Sequence, residues 1–254
     1  MGQIEKTVFI SYRRTNEMHA RAVYQTLKAH GFECFLDFQN IDAGAFDQII
    51  LSQIKARAHF VLILTPSALE RCNEPDDWLR KEIETAMDYK RNIVPLMMEG
   101  FNYSSPAIRP YLNGKLELLG RYNSLEFPRG FFDEAMARLI NRYLNIEVEA
   151  VIHPILPEHK QFIVESQNAV EDSPKVSSDE LRAAELFEEA YAKHDKGDYV
   201  GAVADYSQSI LLNSKQPRAF YNRALTKRKL NNKPAALMDY TQAIALKPDY
   251  ADAY

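Results

Sequence analysis

Little in this chain can staple, anchor or strongly charge it. Two cysteines, Cys34 and Cys72, are too few for a disulfide framework. Cys34 also lies in an apolar run with Phe35 and Leu36, so a reducing cytoplasm is the simplest setting. The N-terminus has no basic segment followed by a long apolar one, and no apolar stretch reaches about eighteen residues, so neither a secretion signal nor a membrane span is expected. Gly2 invites a myristoylation reading, but Lys6 stands where that motif asks for Ser or Thr. With 31 basic against 35 acidic residues and no lysine- or arginine-rich run, nucleic acid is not the expected partner. The six histidines show no metal-ligand spacing, and GxGxxG, P-loop and GxSxG motifs are all missing. A resident metal, Rossmann redox chemistry and serine hydrolysis therefore lose ground. Tryptophan occurs once, at position 78.

What is present is ordinary in bulk. At 254 residues, with 46% hydrophobic and 26% charged residues, the chain suits a water-exposed protein of one or two domains with a real core. Its first 144 residues alternate short β-branched runs with longer amphipathic stretches. Val8–Tyr12, Glu33–Phe38, Phe60–Leu64 and Ile93–Met97 read as strands, and Glu17–His30, Asp47–Ala58 and Trp78–Lys90 as helices. A fifth strand is expected between Leu116 and Phe127, and a closing helix over Phe131–Leu144. The class is α/β, a five-stranded parallel sheet flanked by helices.

From Asn145 to Arg182 the periodicity fades among Pro154, Pro157 and Pro174. Eight acidic and three basic residues there give −5 of a total −4, leaving the rest of the chain at +1. Residues 145–176 thus read as an acidic connector between two nearly neutral bodies. Beyond it the sequence repeats at a period of 34: Ala202 falls over Ala236, Asp205 and Tyr206 over Asp239 and Tyr240, Ile210 over Ile244, Leu212 over Leu246. Over residues 177–254 this resembles the tetratricopeptide repeat, two antiparallel helices per unit, with the family's Pro248 kept and Ser214 in its place one unit earlier. Ala251–Tyr254 restates the opening of a third unit, with Tyr254 where the second has Phe220. Two repeats seldom bury enough surface alone, so a longer protein, or an array completed by a partner, is expected.

In a parallel sheet the strands all end at one edge, and ligands gather there. That edge collects Ser11, Tyr12, Arg13 and Arg14 after the first strand, Asp37 and the loop Asp42–Phe46 after the second, and Asp76, Asp77 and Glu82 after the third. Trp78 and Glu82 stand four apart, on one line of a helix. A helix glutamate is ordinarily a solvated charge. Glu84 fits that description, with Arg80 and Lys81 at helical spacing, whereas Glu82 meets Trp78, Leu79, Thr85 and Ala86. Trp78 can equally be an edge-of-core residue beside Leu79 and Ile83. For Arg13 and Arg14 the bland reading is a solvated pair and the sharper one a pyrophosphate site. Phe46 beside Gly44 can be a helix-entry anchor or a stacking plate, and Asp37 a turn cap or a ligand.

Taken in order, FISYRR, DFQNIDAGAFDQIILSQIKARAHFVLILTPSALERC, DWLRKEIETA and NIVPLM resemble the TIR domain, in its NAD-cleaving branch found in animals and prokaryotes, over roughly residues 5–144. The resemblance implies cleavage of the nicotinamide–ribose bond of NAD, giving nicotinamide with ADP-ribose or a cyclic form, with NAD as substrate and no cofactor. It puts Glu82 at the catalytic position, and Trp78, Phe46, Gly44, Arg13, Arg14, Tyr12, Asp37 and, less closely, Tyr103 around the nucleotide. It also implies self-association through the loop 42–46, although related enzymes often carry a basic residue where this chain reads Ala43, Gly44, Ala45. The competing reading is a scaffold in which the TIR domain only binds partners and the repeats recruit another protein.

Overall fold

The computed structural model describes residues 3–36, 45–148 and 160–248. In chain order the first part runs β1 (Gln3–Ile4), β2 (Thr7–Ser11), α1 (Glu17–Ala29), β3 (Glu33–Leu36), α2 (Ala45–Lys55), β4 (His59–Leu64), α3 (Trp78–Asp88), β5 (Asn92–Met98), β6 (Leu125–Phe127), α4 (Phe132–Arg138) and β7 (Glu147–Val148). Five strands form one parallel sheet in the order β3-β2-β4-β5-β6. β1 and β7 pair antiparallel as a separate ribbon.

Both faces of the sheet are covered, which is why β4 is apolar at every position after His59 and buried throughout. Alternate residues divide between two cores. Val8, Ile10, Val61, Ile63, Val94 and Leu96 join Val23 and Leu27 of α1 and Met136 of α4. Phe9, Phe35, Phe60, Leu62 and Leu64 join Ile50 and Ile54 of α2 and Leu79 and Ile83 of α3. The rings of Phe35, Phe9 and Phe60 stack across β3, β2 and β4 with centroids 5.4 and 5.6 Å apart. Each such buried aromatic contributes about 2–3 kcal/mol of transfer free energy.

The acidic connector is more structured than its composition suggests. It holds α5 (Lys160–Glu171), whose Val170 enters the first core and whose Ile163 enters the second. Lys28 of α1 pairs with Glu171 at 2.6 Å, and Gln25 donates to the Pro174 carbonyl at 3.2 Å. The apolar spacing Ile163 to Val170 is helical, but three prolines around it hid the pattern.

Chain contacts divide the molecule into a unit of residues 1–64 and 68–175 and a unit of residues 176–254 with 65–67. The second contains α6 (Ser178–Asp195), α7 (Tyr199–Leu212), α8 (Pro217–Lys229) and α9 (Lys233–Leu246). Ser177 and Glu180 close a capping box on α6, and Asp198 and Asn232 cap α7 and α9. The 34-residue offset carries into the backbone: α7 and α9 are the same length, and the turns before their caps hold left-handed residues Gly197 (φ 82) and Asn231 (φ 60). It carries into the ion pairs as well, with Lys193–Asp205 at 2.6 Å and Lys227–Asp239 at 2.7 Å. Residues 251–254, expected to open a third unit, lie outside the described residues.

Candidate active site

In the sheet order β3-β2-β4 the chain reverses its direction of winding between β2 and β4, and the crevice at the carboxyl ends of these strands is where such folds bind ligands. β2 ends there at Ser11, fully buried. Its hydroxyl donates to Glu82 Oε2 at 2.5 Å, joining residues 71 apart in the chain. Glu82 lies in the second turn of α3 and is only 7% exposed. A buried polar group costs free energy unless hydrogen bonds compensate it, so the short bond from Ser11 is a reason for Glu82 to be tolerated there. Ser11 stood on the rim in the sequence, but nothing there showed that it meets Glu82. By contrast Glu84 faces outward and pairs with Arg80 at 2.8 Å, as its spacing predicts.

Trp78 opens α3 and is half-buried, and Lys81 Nζ stands 4.9 Å from the centre of its ring. Asp77 caps the helix by accepting from the Arg80 amide at 3.0 Å. Burial alone would raise the Asp77 carboxyl, but bonds from Arg13 and from the Arg80 amide hold it below the ordinary aspartate value. Burial pushes the adjacent Cys72 thiol up to about 12, so it remains S–H and donates to Asp77 Oδ1 at 3.3 Å.

The two arginines behave differently. Arg13 turns inward, with Nη1 2.5 Å from Asp77 Oδ2 and Nε 2.9 Å from the Ala68 carbonyl. Arg14 is exposed in the short 3-10 turn Arg14–Asn16. Tyr12 is half-buried against the α1 side of the sheet. Tyr103 lies in the segment after β5, edge-on to Phe101 at 5.0 Å, with its hydroxyl 3.4 Å from Ser124 Oγ, and burial raises its phenol. Phe46 is in the first turn of α2, while Asp37, Gly44 and the rest of the 37–44 segment lie outside the described residues. Ser11, Arg13, Asp77, Trp78 and Glu82 are therefore gathered around the start of α3.

Among the described residues no group of three or more His, Cys, Asp or Glu is arranged to hold a metal ion, and no helix is long and apolar enough to cross a membrane. The arrangement offers a buried carboxyl group one helical turn from an aromatic plate. That combination can stabilise a developing cation on a bound ring.

A family model described as "TIR domain" matches residues 8–140. The chain is 32% identical over 137 residues to the "NAD(+) hydrolase tir-1" of Caenorhabditis elegans, covering 52% of this chain and 14% of that protein. It is 32% identical over 158 residues to the "NAD(+) hydrolase sarm1" of Drosophila melanogaster, covering 59% and 11%. To the "NAD(+) hydrolase SARM1" of Danio rerio it is 30% identical over 141 residues, covering 54% and 19%. The matched region spans less than a fifth of each of these relatives.

Proposed function

The chain belongs to the TIR-domain family, and on that premise we propose that its N-terminal unit hydrolyses the bond between nicotinamide and ribose in NAD. The observation that carries this reading is Glu82, a buried carboxylate held by Ser11 at the crevice where β2 and β4 end, one turn beyond Trp78. Relatives named NAD(+) hydrolase at about 30% identity support it.

The chemistry fits one carboxylate. As the C1′–N bond breaks, its electron pair returns to the pyridinium ring, which leaves as neutral nicotinamide without needing a proton. The ribose carbon becomes oxocarbenium-like, and Glu82 stabilises it until water, or a group within the same molecule, attacks and releases its proton to solvent. Water gives ADP-ribose and an internal attack a cyclic form. Trp78 and Phe46 stack on rings, Arg14 meets phosphate, and Tyr12, Asp37, Gly44 and Tyr103 line the nucleotide. NAD is substrate, so no cofactor is required.

Self-association through residues 42–46 completes the site, and the C-terminal helices, read as tetratricopeptide repeats, recruit or sense a protein partner. The repeated ion pairs of that unit are architectural, which suits a binding module rather than a second catalyst.

The test is to incubate purified protein with NAD and resolve nicotinamide, ADP-ribose and cyclic products, with Glu82→Gln alongside. Release by the wild type that is lost in Glu82→Gln supports the reading. No release at any protein concentration, with the domain folded, leaves the scaffold reading ahead. A rate per molecule that rises from dilute monomer to verified oligomer supports the composite site, and a flat rate counts against it.

A further inference from the structure

Arg13 is held at more points than a ligand-seeking side chain needs. The guanidinium carries five N–H donors. Its Nε is given to the Ala68 carbonyl, Nη1 and Nη2 fork onto the two oxygens of Asp77 at 2.5 and 3.2 Å, and Nη2 lies 3.5 Å from Cys72 Sγ. The two side chains are 12% and 2% exposed. A phosphate could take this fork only by displacing Asp77, which also caps α3 and accepts the Cys72 thiol. The pair is a fixture of the domain before any substrate arrives.

Its consequence lies in α3. The end of β2 reaches that helix twice, at Asp77 through Arg13 and at Glu82 through Ser11. Five residues of helix separate the two attachments by about 7.5 Å along the axis. Leu79 and Ile83 already seat one face of α3 in the second core; one attachment fixes the helix start, and two also limit the roll that this packing leaves. A side-chain tip rides about 5–6 Å from the helix axis, so a roll of about 20° would carry the Glu82 carboxylate about 2 Å sideways. A misplacement of about 1 Å can cost about a hundredfold in rate.

We propose that Arg13 is a positioning residue rather than a phosphate ligand: through Asp77 it fixes the start and rotation of α3 and so aims the Glu82 carboxylate. Its catalytic consequence rests on the NAD-hydrolase reading, while the placement of α3 does not.

Two variants separate the ion pair from the helix cap. Asp77→Asn keeps a good cap and removes the charge that Arg13 grips. Arg13→Lys keeps the positive charge and loses the fork. Each is measured for kcat and KM in nicotinamide release from NAD, and for acrylamide quenching of Trp78, the sole tryptophan, which sits at the start of α3. The expected result is a kcat lowered about thirtyfold or more with KM within about threefold, and Trp78 more readily quenched in both. The Arg13→Lys, Asp77→Asn double variant should be no worse than either single change, because the two act as one unit. A raised KM with kcat retained and Trp78 quenching unchanged overturns the proposal and returns Arg13 to the substrate. If wild type releases no nicotinamide, the hydrolase reading fails and quenching alone decides: increased in both variants it sustains the placement of α3, unchanged it overturns it. Should Arg13→Lys not fold, Asp77→Asn carries the same decision.

Discussion

Both units of this protein bury carboxylates, and the sheet unit buries one of them at its ligand-binding edge. In the helical unit Asp205 and Asp239 occupy equivalent places 34 residues apart, each met by a lysine from the preceding helix, and Asp239 also by the fork of Arg223 at 2.7 and 2.8 Å. In the sheet unit Asp77 is held likewise by the fork of Arg13, whereas Glu82 stands in a different place. It is reached by a hydroxyl from the end of a strand, at the edge where the winding of the sheet reverses. A buried charge that recurs with the repeat and is matched by cations belongs to the architecture. One that occurs once, at a ligand-binding edge, is a candidate for chemistry.

The first way to sharpen this contrast is to remove architecture from the sheet unit itself. Phe9→Ala takes out the middle ring of the Phe35–Phe9–Phe60 stack and should cost about 3–5 kcal/mol of unfolding free energy, read by denaturant melting. Next comes chemistry without architecture. Glu82→Gln keeps the shape and should lower nicotinamide release on the order of a hundredfold, about 3 kcal/mol, while melting shifts little by comparison. Glu84→Gln, which disturbs only the outward pair with Arg80, should leave the rate within about twofold. Equal losses in the two variants would dissolve the distinction.

A buried base offers a third comparison. Burial lowers His19 of α1 from 6.5 to about 4, and its Nδ1 has no hydrogen-bond partner among the described residues. The unfolded chain then binds a proton that the folded one refuses, so the stability contributed by neutral His19 is intact above pH 6.5 and is lost as pH falls toward 4. At pH 5 the loss should be about 2 kcal/mol, and His19→Leu should flatten that part of the stability–pH curve. An unchanged slope in the variant would assign the acid sensitivity elsewhere. The smallest of the stability effects is expected in the repeat unit. Asp239→Asn leaves partly exposed Arg223 and Lys227 facing a neutral amide and should cost about 1–2 kcal/mol in the melting of α8 and α9, with the NAD reaction unchanged. Loss of nicotinamide release there would tie the repeats to the chemistry.

Much of the fold was legible because it depends on periodicity. Short β-branched runs marked the strands, and their alternation with amphipathic stretches marked a parallel sheet flanked by helices. Helical spacing of apolar residues marked α1, α2 and α3. The ribbon of β1 and β7 was not legible, since two residues on each side carry no period. Nor was α5, whose two core residues are separated from the rest of the core pattern by prolines and acidic residues. At the site, Glu84 could be set aside from spacing alone because its partner Arg80 is local. Arg13 and Arg14 could not be told apart, since adjacent identical residues look alike until the chain turns between them.

The sequence by itself determined the α/β class, the 34-residue repeat and the candidacy of Trp78 and Glu82, because each follows from interactions among near neighbours or from one repeating period. The tertiary structure alone decided that Ser11 meets Glu82 across 71 residues and that Arg13 grips Asp77 across 64. Hydrogen bonds are short and directional, so these partners become visible only after two packed cores have fixed how β2 lies against α3.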